Sequence, residues 1–260
     1  PLVIQTHGFP RDRFQIDGFG HIGYAAQPLA GAGIMVVQMA AGAEGGRGPR
    51  GYRERVSTSE ELPADRRAME GLIDRLDELG LIDRERVGLQ GWSRTTYGVR
   101  SMLTHSKYPI RAALISDGVD FGYVTYLTSY DMLRLIAEQI NGGIPVGENL
   151  RTWQERVPTF NAHRINTPLR IEAVRKGGGG LISQWELYML LHRLNKPVEM
   201  VSYPRGAHDL VKPLERLTSQ QGAYDWFRFW LQDFVDTSED KQAQYRRWEK
   251  MRQQLREGAR

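Results

Sequence analysis

Residues 89–95 read Leu-Gln-Gly-Trp-Ser-Arg-Thr. The apolar alternation just before them predicts a short buried strand, and residues 96–103 predict the start of a helix. A strand, a Gly-x-Ser turn and a helix are the context of a nucleophile elbow, whose strained turn exposes the serine hydroxyl above the sheet edge. Ser93 is therefore a candidate nucleophile. Thr95 stands where the second glycine of G-x-S-x-G is expected, and a capping serine in an ordinary loop is the alternative.

Strands and helices alternate along the rest of the chain. A helix begins near Pro63 and ends at Gly80, and its apolar residues form one stripe. Such alternation predicts a mostly parallel, doubly wound sheet with helices on both faces. The predicted strands are residues 2–6, 33–39, 86–90, 111–116, 169–174 and 198–203.

Composition excludes several classes of site. The 260 residues are 40% hydrophobic, enough for one large α/β domain or two small ones, and no apolar run approaches the ~20 residues that span a bilayer. The chain has no cysteine, which excludes disulfides, thiolate metal sites and a thiol nucleophile. It begins at Pro1, inside a predicted strand and without a signal peptide, so we expect a piece of a longer soluble protein.

The net charge of +4 is concentrated in the last residues. Residues 237–260 hold seven Lys/Arg and four Asp/Glu, so three of the four net charges lie there and residues 1–236 are nearly neutral. A nearly neutral domain argues against a nucleic-acid-binding face. Tyr245 and Trp248 belong to an apolar stripe at near-helical spacing, which predicts a basic tail helix packed on the domain or on a partner. An RNA or membrane contact is the alternative for this tail.

A serine nucleophile needs a base, and His208 has the best position among the six histidines. It follows the last predicted strand, and catalytic groups of open parallel sheets gather at the carboxyl ends of the strands. An imidazole there can take the serine proton and return it to the leaving group. An acyl-transfer site also needs two N–H donors that stabilise the oxyanion of the reaction intermediate. The candidate donors are the amide of Arg94 and the loop at Gly8 and Phe9.

Four stretches of this sequence together resemble the catalytic domain of the prolyl oligopeptidase family of serine peptidases. They are residues 1–8 (PLVIQTHG), 81–93 (LIDRERVGLQGWS), 167–171 (TPLRI) and 196–208 (KPVEMVSYPRGAH). The resemblance implies an α/β-hydrolase fold, normally preceded by a β-propeller that restricts access to the active site. It also implies that Ser93 is the nucleophile, that His208 is the histidine and that Gly8 belongs to the oxyanion loop.

The position of the carboxylate that would orient His208 departs from the family pattern. The family usually places an Asp after the strand that corresponds to residues 169–171, but residues 174–180 here contain no carboxylate. Glu172, at the end of that predicted strand, is the first candidate for the acid that orients His208. Asp117, after the preceding strand, is the second candidate, and a Ser-His dyad or another acid is the remaining alternative.

The Gly-Trp-Ser-Arg-Thr elbow, the displaced acid and the tail around residues 244–248 are similar to the lasso-peptide isopeptidases of the same family. These bacterial enzymes open the macrocycle of a threaded peptide at an isopeptide bond between its N-terminus and an Asp or Glu side chain. A helical insert at about residues 121–157 is expected to overhang the site. Trp92, Tyr123 and Tyr126 are the candidate substrate contacts, with core packing as the alternative role for such aromatics.

The resemblance therefore predicts a lasso-peptide isopeptidase of the bacterial cytoplasm or periplasm. A peptidase for short linear peptides, a small-ester hydrolase and a degenerate hydrolase fold that only binds peptides are the alternatives. No metal or nucleotide cofactor is expected, because the histidines lack paired spacing and the glycine-rich region at residues 42–51 lacks the G-x-G-x-x-G pattern.

Overall fold

The structure is a computed structural model that describes residues 1–9, 13–16, 24–40, 57–176 and 180–258. These residues form a six-stranded sheet of order β2-β1-β3-β4-β5-β6, in which every neighbouring pair is parallel. The strands are β1 (Leu2–His7), β2 (Met35–Ala40), β3 (Val87–Trp92), β4 (Ala112–Ser116), β5 (Leu169–Lys176) and β6 (Val198–Ala207). The predicted doubly wound α/β-hydrolase sheet is confirmed.

Five of the six strands continue beyond their predicted ends, and β6 does so by the most residues. β5 extends to Lys176, and β6 extends through Pro204 to Ala207, where the two strands still pair. Proline cannot donate to a ladder, but β6 is an edge strand, where a missing donor is tolerated. Because β6 is longer than expected, His208 follows its last residue directly.

Helices cover both faces of the sheet. Successive strand residues point to opposite faces, so Leu2 and Ile4 pack in one core and Val3 packs in the other. The described helices are α1 (Ala26–Gly31), α2 (Glu61–Glu78), α3 (Thr96–His105), α4 (Tyr123–Thr128), α5 (Asp131–Asn141), α6 (Asn149–Arg156), α7 (Gly180–Arg193), α8 (Pro213–Gln232) and α9 (Gln242–Gly258). Helices α2, α3 and α7 cover the first core, and α1, α8 and α9 cover the second.

The insert at residues 121–157 consists of α4, α5 and α6. Gly142 ends α5 in the left-handed conformation, with φ +84°, which glycine adopts without strain. The sequence predicted one helix before this turn, and the structure has two. The insert has its own apolar core around Trp153, which is fully buried.

The tail helix α9 packs on α8. Tyr245 and Trp248 are buried against Trp226 and Phe229, so the apolar stripe of the tail belongs to the second core. The predicted irregular loop at residues 40–52 lies outside the described residues from position 41 onward. Within the described ranges, no helix combines the length and the apolar character that crossing a membrane requires.

Candidate active site

Ser93 follows β3 in a sharp turn. Its φ is +56°, a left-handed conformation that is strained for a residue with a side chain. The turn depends on close packing at Gly91, where a Cβ would lie 2.9 Å from Cγ2 of Val99 and 3.3 Å from Cα of Thr96. A glycine is therefore required at the first position of the elbow.

Thr95 stands at the second glycine position of the motif, and its hydroxyl makes several hydrogen bonds there. Its hydroxyl lies 2.7 Å from the carbonyl oxygen of Thr6 and 2.8 Å from that of Trp92, and it can donate to either. The same hydroxyl accepts a bond of 3.4 Å from the amide of Trp92. Thr95 thus ties the elbow to the end of β1.

His208 reaches Ser93 from the end of β6. Its Nε2 lies 2.9 Å from Oγ of Ser93, a distance at which the hydroxyl donates to a neutral imidazole. Trp92 supports the imidazole: the two rings stack with centroids 4.4 Å apart, and the Trp92 indole N–H donates to the His208 carbonyl at 3.2 Å. Trp92 was a predicted substrate contact, but it is only 8% exposed and packs beneath His208.

Asp117 is the carboxylate at the other nitrogen of His208. The Nδ1–H of His208 donates to Oδ2 of Asp117, which fixes the tautomer whose Nε2 can accept the serine proton. Asp117 follows the last residue of β4 and is 3% exposed. Ser93, His208 and Asp117 therefore form one hydrogen-bonded series, the arrangement that serine hydrolases use.

Glu172, the first candidate for the acid, does not contact His208 through any hydrogen bond in the described residues. Its carboxylate accepts bonds from the hydroxyls of Ser116 (2.8 Å), Ser219 (2.6 Å) and Tyr203 (3.1 Å), and it lies 3.6 Å from Nε of Arg170. This prediction is corrected for a physical reason. Because β5 continues to residue 176, Glu172 lies inside the strand at the level of Ser116 and not at its end.

The two predicted sources of oxyanion donors differ. The amide of Arg94 lies in the short 3-10 turn Ser93–Thr95, directly after Ser93, as the elbow requires. The amide of Phe9 donates to the carbonyl of His7 at 2.7 Å, which counts against Phe9 as a donor to substrate. Gly8 is the better candidate of the loop pair.

Known proteins provide an independent comparison. Lasso peptide isopeptidase AtxE2 from Asticcacaulis excentricus is 32% identical over 184 residues, which is 71% of this chain and 26% of that protein. A solved structure of AtxE2 without ligand superposes with a TM-score of 0.77 at 30% identity, covering 98% of this chain and 39% of that one. The chain belongs to the prolyl oligopeptidase family of serine peptidases.

Other comparisons bear on the fold alone. A puromycin-hydrolysing peptidase from Mycobacterium tuberculosis superposes with a TM-score of 0.73 at 19% identity, covering 92% of this chain and 35% of that one. No protein-family model matches the chain. The chain thus spans about a quarter of the curated relative, and between a third and two fifths of the two solved structures named above.

The side chain of Arg94 has a role that the sequence did not indicate. Its guanidinium donates to both carboxylate oxygens of Glu61, at 2.9 Å and 2.6 Å, and to the hydroxyl of Ser57 at 3.2 Å. Glu61 is 4% exposed, so this bidentate pair anchors the residue after Ser93 to the start of α2. The turn that carries Ser93 is therefore tied to helix α2 as well as to strand β1.

His7, like His208, packs against the ring of Trp92. The rings of His7 and Trp92 are 4.6 Å apart. Burial, followed by the positive charge that His208 can carry, lowers the pKa of His7 from 6.5 to about 4. His7 is consequently neutral at physiological pH, so it adds no positive charge beside His208.

The two tyrosines predicted as substrate contacts face different surroundings. Tyr126 is 5% exposed, and its hydroxyl donates to Glu138 at 2.6 Å, so it belongs to the core of the insert. Tyr123 is 37% exposed, and its hydroxyl donates to the carbonyl of Pro145 at 2.8 Å. Of this pair, only Tyr123 offers a ring face to a peptide.

Proposed function

We propose that the protein containing this chain is a serine isopeptidase that opens the macrocycle of a threaded lasso peptide. The observation that supports it is the series Ser93–His208–Asp117 in a chain that is 32% identical to AtxE2. A structure of an AtxE2 Ser-to-Ala variant with Astexin3-dC4 bound also superposes on this chain, with a TM-score of 0.74 at 29% identity, over 98% of this chain and 39% of that one. Its bound peptide favours a peptide substrate here too.

The first half of the reaction forms an acyl-enzyme. Oγ of Ser93 attacks the carbonyl carbon of the isopeptide bond while Nε2 of His208 takes the hydroxyl proton. Asp117 holds the imidazolium in place and stabilises its charge. The amides of Arg94 and Gly8 stabilise the oxyanion, and the C–N bond then breaks as His208 gives its proton to the departing peptide N-terminus.

The second half of the reaction releases the Asp or Glu side chain of the substrate from Ser93. A water molecule gives a proton to His208 and attacks the ester between Ser93 and the Asp or Glu side chain of the substrate. Collapse of the intermediate returns the proton to Oγ of Ser93 and frees the side-chain carboxylate. One water is consumed, and the threaded ring becomes a linear peptide.

Two further parts of the proposal concern the surroundings of the site. Tyr123 is proposed to contact the peptide, because it is the exposed member of the predicted aromatic pair. A β-propeller of the same protein, implied by the family resemblance, is proposed to restrict access to Ser93.

Mass spectrometry with the full-length protein tests the function. A lasso peptide incubated with it should gain the mass of one water through ring opening, and Ser93→Ala should abolish the gain. The matched control is the linear peptide of the same sequence. Cleavage of the linear peptide alone would favour an oligopeptidase. Failure of a fluorophosphonate probe to label the native protein would favour a peptide-binding module.

A further inference from the structure

We propose that Gln184 and Arg100 are positioning residues that hold the loop of Asp117 in register with His208. The proposal rests on the proposed function, because it concerns how the acid of that site is kept in place. Neither residue touches His208 or Ser93 by hydrogen bond in the described structure, so both would act through the loop at residues 117–121.

Asp117 needs to be held because its backbone is strained. Its φ is +39°, in the left-handed region that residues with a side chain avoid. Strained residues persist only when the surrounding structure fixes them. On one side of the loop, the amide of Asp117 donates to the carbonyl of Glu172 at 2.9 Å. The other side depends on residues 118–120.

Gln184 holds the loop at Gly118. Its side chain is fully buried, and its Nε2 donates to the carbonyl of Gly118 at 2.7 Å. Its Oε1 accepts a bond of 2.6 Å from Nη2 of Arg100. A guanidinium can only donate, so Arg100 fixes which end of the amide faces it, and the NH2 group of Gln184 is therefore directed at the loop.

Arg100 holds the same loop at Asp120. The guanidinium Nη1 lies 2.6 Å from Oδ2 of Asp120, and both side chains are fully buried. Asp120 in turn accepts hydrogen bonds from its neighbour's amide at Phe121 and from the hydroxyl of Thr159. Gln184 thus holds the loop one residue after Asp117, and Arg100 holds it three residues after Asp117.

The loop also lies directly against the backbone of the nucleophile. The amide of Val119 donates to the carbonyl of Ser93 at 3.3 Å, and the hydroxyl of Thr96 donates to the same carbonyl at 2.8 Å. A Cβ on Gly118 would overlap the Thr96 side chain, so the loop backbone packs on α3 without a gap. A shift of the loop would therefore change the position of Asp117 relative to Ser93 and His208.

The test uses Gln184→Met in the full-length protein, because methionine keeps the length and removes the bonds to Gly118 and Arg100, together with a bond of 3.0 Å to the hydroxyl of Ser183. We expect kcat for ring opening to fall about 10- to 100-fold, as for a catalytic group displaced by about 1 Å, with KM within two-fold of native. The matched control is Thr167→Val, which removes a donor to the carbonyl of Ile110. Both residues lie at the amino ends of the strands, away from Ser93, so kcat should be unchanged.

A double-mutant cycle separates positioning from a general structural effect. If Gln184 acts through the acid, Gln184→Met should change the residual rate of Asp117→Asn less than two-fold. An equal loss in both backgrounds would overturn the proposal, as would a Gln184→Met enzyme with native kcat. Arg100→Lys, which keeps a charge beside Asp120, should give a smaller loss with the same non-additivity if Gln184→Met does not fold. An inactive native protein would instead contradict the proposed function.

Discussion

Nδ1 of His208 donates a hydrogen bond to the carboxylate of Asp117, which comes from the end of β4 and not from the region of β5. β4 lies between β3 and β5 in the sheet, so this acid stands one strand from the strand that carries Ser93. The family pattern places the acid one strand further away. The hydrogen-bonded series Ser93–His208–Asp117 is therefore completed by a residue that follows the adjacent strand β4, without a carboxylate from the loop after β5.

This arrangement predicts that Asp117 and Glu172 differ in what they contribute. Asp117→Asn should lower kcat about 10³- to 10⁴-fold with the fold retained, because the imidazole loses its orienting acceptor. Glu172→Gln should keep activity within a few-fold and lower the free energy of unfolding by about 3 kcal/mol, because it leaves the buried Arg170 with less compensating charge. Ring-opening rates and urea denaturation measure the two effects.

The reverse result would restore Glu172 as the acid. Loss of activity in a stably folded Glu172→Gln protein, with Asp117→Asn active, cannot follow from the geometry at His208. Ser219→Ala is a useful control, because it removes one donor to Glu172 and leaves both carboxylates in place.

The sequence predicted the site residues whose positions depend on their neighbours along the chain. Ser93 lies in a turn that its neighbours dictate, and His208 follows a strand that hydrophobic patterning detects. The acid could not be chosen in this way, because the end of β5 is set by its pairing with β6 up to residue 176. A strand end fixed by a neighbouring strand 30 residues away leaves no local signal, so Glu172 seemed to lie at the sheet edge.

Two of the three predicted aromatic contacts, Trp92 and Tyr126, are buried for a related reason. Aromatic residues are equally suited to a core and to a cleft, and only packing decides between them. Tyr126 lies against Trp153, with ring centroids 5.0 Å apart, inside the core of the insert. The ring of Trp92 lies against the rings of His7 and His208, at 4.6 Å and 4.4 Å between centroids.

The elbow predicts a second experiment, at Thr95. Thr95→Val should lower the free energy of unfolding by about 1 kcal/mol, because the hydroxyl that bonds the carbonyls of Thr6 and Trp92 is lost. It should also lower kcat several-fold, since the turn that carries Ser93 loses its link to β1. Thermal unfolding and the rate of ring opening at saturating peptide give the two values.

Thr95→Ser provides the control for that substitution, because it keeps the hydroxyl and loses only a methyl group. It should behave like the native protein in both measurements. A Thr95→Ser protein as impaired as Thr95→Val would show that the methyl group matters and the hydrogen bonds do not.

His7 predicts a dependence of stability on pH. A histidine whose pKa falls on folding, here to about 4, favours the fold when neutral. Its contribution is complete above its unfolded pKa of 6.5 and is lost as the pH falls toward 4. Between about pH 7 and about pH 5, the native protein should lose up to about 2 kcal/mol of unfolding free energy relative to His7→Phe.

Urea denaturation of both proteins at each pH measures this difference. Comparing the two proteins cancels the carboxylates that titrate in the same range. Parallel stability curves for native and His7→Phe would show that His7 titrates near its ordinary pKa and that its burial beside Trp92 does not shift that pKa.

The tail helix gives the last prediction. Trp248 is fully buried, its ring lies 5.3 Å from that of Trp226, and its indole N–H donates to Glu199 at 3.1 Å. Trp248→Ala should lower the free energy of unfolding by about 3–5 kcal/mol, because it opens a cavity and removes a donor from a buried carboxylate. Arg246→Ala, at an exposed position of the same helix, should change it by less than about 0.5 kcal/mol. Equal stability of both variants in urea would mean that α9 contributes nothing to the core, and a tail held only by a partner would then fit better.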